Sequence, residues 1–348
     1  MTERFDASRR SFIKSVGLGA AGAAMGLGFP SLGLAAEAKN GIPHRAFGKT
    51  GLKIPEIAFG AMDLTRDNSQ VLRNSLTQGL VLVDTAPNYT NGISEPVVGE
   101  MVKAFGRDKV LLLTKASGLK HAMLRTQSSA EVEKAVREKL EESLKRLQTD
   151  YVDAYVAPHG ATDPADVDYP QLREVLEKLK KEGKIRFCGF STHANYVACC
   201  AAAIDSGWRD FVLAAVAITT LDPEMLDLAS KLQEEMSQKA GAAGKRPARQ
   251  AAGGGKKRLE DSREIMAKAQ KAGLGVIAMK AAKYVPADTL GEAVRKKFAP
   301  EGAPISHHQI CYRYVLDQPF CSSVSIGMGA MQHLEEALQL PSLKLKTV

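Results

Sequence analysis

The sequence predicts an α/β chain folded as a single (β/α)8 TIM barrel with an N-terminal β-hairpin. Three observations carry that expectation. Short apolar runs recur every 30 to 40 residues or so, separated by segments of helical periodicity, a rhythm that suits one barrel better than two domains. These runs are apolar throughout, as strands buried on both faces of a parallel sheet must be. Three successive runs also finish on polar groups able to do chemistry: residues 81–84 on Asp84 with Tyr89 five positions later, residues 110–115 on Lys115, and residues 151–159 on His159. In a barrel the carboxyl ends of all strands converge on one mouth, where active sites are built.

Taken in order, residues 45–54 place turn residues between two short apolar arms and read as the hairpin. Residues 57–62 form the first barrel strand, with Gly60 leaving room at its end, and the runs at 81–84, 110–115 and 151–157 follow. Residues 186–190, 211–216, 275–279 and 323–326 complete the eight. Between them, residues 130–140 and the series Leu172, Val175, Leu176, Leu179 repeat apolar side chains three and four apart, the spacing of a helix with one buried face.

The formal net charge of +8 is unevenly distributed. Seven positive charges and no acid lie in residues 238–258, and a net two more lie in the first 14 residues, leaving the rest of the chain at −1. A near-neutral body argues against a nucleic-acid-binding face. Residues 238–258, rich in Gly, Ala, Lys and Arg, are too poor in large apolar side chains to fold, and read as a disordered basic insertion between the sixth and seventh strands. A tether to an anionic surface is one role such a segment could play. The five cysteines form no CxxC and no Cys/His grouping with metal-ligand spacing, so no metal is expected and buried thiols are.

Asp84, Thr85, Ala86, Pro87, Asn88 and Tyr89, followed by Asn91, Gly92, Ser94, Glu95, Gly99 and Glu100, resemble the second-strand signature of the aldo-keto reductase superfamily. Lys115 and His159 fall where that family's catalytic tetrad continues, and the likeness runs over residues 45–338. Singly, each residue has a plainer explanation: a turn cap, a loop aromatic, a solvated strand end, a satisfied imidazole. In order at successive strand ends they point to a site. The resemblance implies an NAD(P)H-dependent oxidoreductase that reduces an aldehyde or ketone, or oxidises the alcohol. Tyr89 would be the general acid/base, with its pKa lowered by Lys115; Asp84 would hold Lys115, and His159 would hydrogen-bond the substrate oxygen. His159 stands one residue later than the family's histidine, and a local bulge would restore its place.

The resemblance also implies a cofactor site. Ser191 and Thr192 stand where the family grips the nicotinamide amide with Ser-Asn, while the sixth-strand position near Leu213 or Ala214 offers no polar partner. Tyr284 is a candidate to stack on the ring. Residues 325–336 resemble the dinucleotide-phosphate loop and helix start, which assigns Gly327, His333 and Glu336 to the cofactor. The loop has no Arg or Lys for a 2′-phosphate. NADP(H) is the expected cofactor, with NAD(H) possible, and a non-redox or cofactor-impaired barrel holding a small polar ligand is the alternative. Ser8, Arg9, Arg10, Ser11, Phe12, Ile13 and Lys14 look like a twin-arginine export signal, followed by a Gly/Ala-rich run with small residues at candidate cleavage sites. Residues 1–38 are accordingly expected to be a signal peptide read by the twin-arginine machinery, residues 41–345 the barrel, and the mature protein periplasmic, with no stable membrane span. Specificity in such barrels comes from loops at the mouth, and these carry no recognisable substrate code.

Overall fold

The computed structural model describes residues 41–242, 255–282, 285–286 and 288–346. His44–Ala46 (β1) and Lys53–Pro55 (β2) form the antiparallel hairpin. The barrel strands are Ile57–Gly60 (β3), Leu82–Asp84 (β4), Leu111–Lys115 (β5), Val152–Val156 (β6), Ile185–Thr192 (β7), Phe211–Ala215 (β8), Gly275–Met279 (β9) and Ser323–Gly327 (β10). All pair in parallel, and β10 returns to β3 to close the cylinder. The expected (β/α)8 barrel is therefore the observed fold.

Alternation along the strands explains why the runs are apolar on both faces. Leu82, Leu111, Leu113 and Leu213 point inward and share one cluster with Phe47 and Ile54 from the hairpin, which seals the floor. Val83, Leu112, Phe190 and Val212 point outward into the larger cluster beneath the helices. Burying each such side chain stabilises the fold by about 1.5–3 kcal/mol, so the two clusters dominate the energetics.

The helical layer keeps the periodicity read from sequence. Ser129–Leu147 starts on a capping box between Ser128 and Glu131 and buries Val132, Val136 and Leu140. Pro170–Lys181 buries Leu172, Val175, Leu176 and Leu179. Ser94–Phe105 crosses the end of Ser129–Leu147 so closely that a Cβ at Gly99 would lie 2.6 Å from the Leu147 carbonyl oxygen. Gly99→Ala is expected to destabilise the protein by about 1–3 kcal/mol, because backbone cannot yield as a side chain can; a denaturant midpoint checks this.

The expected basic insertion at 238–258 meets helix at both of its ends. Pro223–Ala242 and Gly255–Lys271 are helices, so residues 238–242 and 255–258 fall at helix ends. Helix-favouring Ala, Gln, Glu and Lys upstream and downstream carry the helices into the biased segment. Residues 243–254, the proposed signal peptide at 1–38, and Tyr284 lie outside the described residues. Among the described residues, no helix is long and apolar enough to cross a membrane.

Candidate active site

Asp84 and Lys115 are the inward-facing last residues of neighbouring strands, and both are taken out of water, at 4% and 1% exposure. They form a buried ion pair through Asp84 Oδ1. The other carboxylate oxygen accepts from Ser325 Oγ at 2.7 Å, across the barrel seam on β10. The Lys115 ammonium has three protons to donate. One goes to Asp84 and one to the Thr85 carbonyl at 2.8 Å. The nitrogen also lies 4.5 Å from the centroid of the Tyr89 ring and interacts with its hydroxyl.

Tyr89 is held there by its own loop. Ser94 Oγ donates to the Ala61 carbonyl at 2.8 Å and meets Thr85 Oγ1 at 2.9 Å. Glu95, fully buried, accepts from Thr114 Oγ1 and Arg146 Nε, both at 2.6 Å. The chain then turns through left-handed backbone at Thr90 (φ 49°) and Asn91 (φ 53°). A β-branched residue rarely adopts that conformation; here Thr90 Oγ1 donates to the Met62 carbonyl at 2.8 Å and fixes it.

His159 joins this group without a bulge. β6 runs in unbroken register with β5 and β7, so the extra residue falls in the loop beyond the strand. That loop is stitched to β7: Gly160 N donates to Ser191 Oγ at 2.8 Å and Ala161 N to the Ser191 carbonyl at 2.7 Å. The ring lies 2.8 Å from Ser117 Oγ through Nδ1 and packs edge-on against His193, with centroids 6.4 Å apart.

The electrostatics correct one expectation. Burial is the largest influence on the Tyr89 phenol and raises its pKa; Lys115 opposes this, but Asp84 and Asp63 add to the rise, and the net shift is upward. The neighbouring ammonium therefore does not make Tyr89 acidic in the ligand-free site, because desolvation of the phenolate outweighs it. Lys115 itself is pulled down by burial, yet Asp84 and Tyr89 more than compensate and keep it charged. For His159, burial and then Lys115, His193 and Lys280 bring the pKa down to about 3. His121, buried near Arg209 and Arg125, falls to about 4 for the same reasons. Both depressed values mean that the unfolded chain binds more protons between the folded values and the ordinary 6.5. Stability is thus fully present above pH 6.5 and is lost as pH falls toward 4 and 3. The fall in Tm on acidification is expected to be shallower in His159→Gln than in the parent, which thermal scans at several pH values would show.

The residues assigned to the cofactor are not equally placed. Ser191 faces the barrel interior, on the same side of β7 as Phe187, and although its oxygen accepts from Gly160 N its own proton remains to donate. Thr192 alternates outward with Cys188 and Phe190 and donates to the Ala194 carbonyl at 2.6 Å, so it turns from the mouth into the helical layer. Gly327 ends β10 in open space: an added Cβ would meet only Asp63 Oδ2, at 3.7 Å. The helix Met331–Gln339 begins just beyond it with no side-chain cap, leaving its first N–H groups available to an anion. His333 is exposed on that helix. Glu336 is engaged by Ser306 Oγ at 3.1 Å and by Gln332. The strand end, Gly327 and the uncapped helix fit a dinucleotide phosphate; Thr192 does not fit the amide grip assigned to it. Among the described residues no group of three His, Cys, Asp or Glu side chains could hold a metal.

Sequence reasoning missed Ser325, Ser117 and Asn88. Inward alternation on β10 was the available signal for Ser325; Asn88 stood inside the second-strand signature without a role of its own, and nothing local marked Ser117.

The chain is similar to known proteins in sequence and in fold. Aldo-keto reductase YhdN of Bacillus subtilis is 36% identical over 160 residues, 42% of this chain and 46% of that protein. L-galactose dehydrogenase of Arabidopsis thaliana is 34% identical over 160 residues, 43% of this chain and 48% of that protein. The chain thus spans about half the length of the curated relatives it matches. Among solved structures, an aldo-keto reductase from Klebsiella pneumoniae in complex with NADPH superposes with a TM-score of 0.58 at 19% identity, covering 87% of this chain and 90% of that one, and shares the fold. The family model for aldo/keto reductases matches residues 56–347. Barrel and sequence agree, and the chain belongs to the aldo/keto reductase family.

Proposed function

We propose that this protein is an oxidoreductase that interconverts a small aldehyde or ketone and its alcohol using NADP(H), with NAD(H) as the alternative cofactor. The observation that supports it best is the convergence of a buried ammonium, a phenol and a neutral imidazole at one mouth. A reduced nicotinamide, when bound, supplies the hydride for this chemistry. Tyr89, kept as a neutral phenol by burial, donates the proton to the developing alkoxide. Lys115, charged and fixed by Asp84 and Thr85, stabilises the phenolate that remains. His159 orients the substrate oxygen. Ser191 and the Gly327 loop would hold the cofactor.

A second reading is favoured by one observation: with Thr192 turned outward, Leu213 apolar and Ala214 outward, the nicotinamide amide lacks the partners the family supplies. A barrel of this kind would bind a small polar ligand without redox chemistry. Titration of the purified protein with NADPH and NADH, followed by Trp208 and tyrosine fluorescence, separates the two. Saturable binding of either supports the oxidoreductase; none supports the second reading and overturns the first. Export remains part of the proposal: Arg9 and Arg10 ahead of a Gly/Ala-rich run would send the folded protein, cofactor bound, to the periplasm, and a cytoplasmic location in cell fractionation would refute it.

A further inference from the structure

Among the described residues, two cations are withdrawn from water almost completely, Lys115 and Arg209, each 1% exposed. Lys115 has Asp84 as its counter-ion. Arg209 directs its donors to backbone instead. Nη1 donates to the Ala157 carbonyl at 2.7 Å and to that of Gly189 at 3.4 Å, while Nε, at 3.1 Å, and Nη2 both donate to the Val167 carbonyl. The guanidinium carbon lies 3.8 Å from the centroid of the Trp208 ring, whose Nε1 donates to Asp168 Oδ1 at 2.7 Å. Burial brings the Arg209 pKa down to about 10, so the group stays charged at neutral pH. Burying a charge in this way is costly, and an apolar side chain of similar volume often serves stability as well. Departures of this kind concentrate at functional sites. The stagger of the barrel shows what Arg209 reaches. Val156 on β6 pairs with Gly189 on β7, and Gly189 with Phe211 on β8, so the first residue of β8 is level with the last of β6. A long side chain two residues before β8 therefore extends past the end of β6, to the mouth loop that carries His159.

We infer that Arg209 is a positioning residue for the reaction at this mouth: its guanidinium joins the two ends of the loop 157–167 and so holds His159 at the site without touching the substrate. The inference rests on the proposed carbonyl–alcohol chemistry, in which His159 orients the substrate oxygen. Ala157 stands just ahead of Pro158 and His159, and Val167 ends the short helix Pro164–Val167 that closes the loop. Ser191 already holds the middle of the loop through Gly160 N and Ala161 N. Those two bonds fix the distance of the loop from β7; the guanidinium fixes the distance between its ends. A planar fork can do this because one edge, Nε and Nη2, serves Val167 while Nη1 serves Ala157. An ammonium is a single point of charge and cannot span the pair.

The test compares Arg209→Lys with the unsubstituted full chain, by amide hydrogen exchange and by a double-mutant cycle with His159→Gln. Exchange at the Gly160 and Ala161 amides is expected to be about 10- to 100-fold faster in Arg209→Lys, the equivalent of losing one hydrogen bond to a charged group. The Leu113 and Ile277 amides, in strands away from the loop, should be unchanged. An arginine that only supports the fold would speed all four amides together or none of them, and either result overturns the inference. In the cycle, with carbonyl reduction as the readout, kcat/KM should fall about ten-fold or more in Arg209→Lys, and the double variant should be no slower than His159→Gln alone. Additive losses overturn it as well. Should Arg209→Lys fail to fold, the unsubstituted protein decides. With arginine labelled with 15N, the Arg209 Nε proton should exchange at the rate of the Gly160 and Ala161 amides once intrinsic rates are corrected for; a fast Nε proton beside protected amides sinks the inference. A chain that binds no nicotinamide and reduces no carbonyl would sink the oxidoreductase reading while the exchange data still report whether Arg209 holds the loop, so the two failures are distinguishable.

Discussion

Tyr89→Phe is expected to lower kcat by about 10³-fold with little change in KM or in Tm, the loss typical of removing a positioned general acid. The phenyl ring keeps the packing beneath Lys115, whose nitrogen lies 4.5 Å from the ring centroid, so the loop and the ion pair should survive. What disappears is the proton. Steady-state rates over a panel of small aldehydes and ketones, read from nicotinamide absorbance, check the prediction. A variant that keeps most of its turnover would remove Tyr89 from the chemistry.

Lys115→Met is expected to cost about 3–5 kcal/mol of stability, since it strands the Asp84 carboxylate in a site from which water is excluded. Ser325 would remain as a donor to that carboxylate, but a neutral hydroxyl cannot balance a full charge. The diagnostic comparison is with the double variant Asp84→Asn/Lys115→Met. Removing both charges should restore much of the lost stability and, under the proposed chemistry, none of the turnover, because the ammonium is the group that would stabilise the Tyr89 phenolate. Denaturant midpoints and rates on the same three proteins provide the test. Equal stability in the single and double variants would show that the pair is not electrostatically coupled.

The barrel was legible because its strands are buried twice over, so that runs such as residues 110–115 and 211–216 stay apolar without alternation. Asp84 and Lys115 were legible for the converse reason: a charge ending an apolar run has nowhere to sit but the mouth. Thr192 was not, since its chemistry suits a ligand and only the register of β7 shows that it points the wrong way. Ser117 is an ordinary loop residue whose contacts with Asn88 and His159 cross three units of the chain, whereas Asn88 already stood in the second-strand signature. The sign of the Tyr89 shift lay beyond composition as well, because it depends on how much water burial removes set against one nearby ammonium. Helices enter the basic segment from both sides because low complexity reports what cannot pack, whereas helix extension depends on local propensity.

The hairpin's plug has a kinetic corollary. Among the described residues, Phe47 and Ile54 pack into the base of the cylinder, which leaves the mouth as the doorway. Two molecules using one doorway must queue: whichever settles deeper has to arrive first and leave last. Product-inhibition patterns would therefore be those of a compulsory sequence, and random arrival would require a second exit that the hairpin closes.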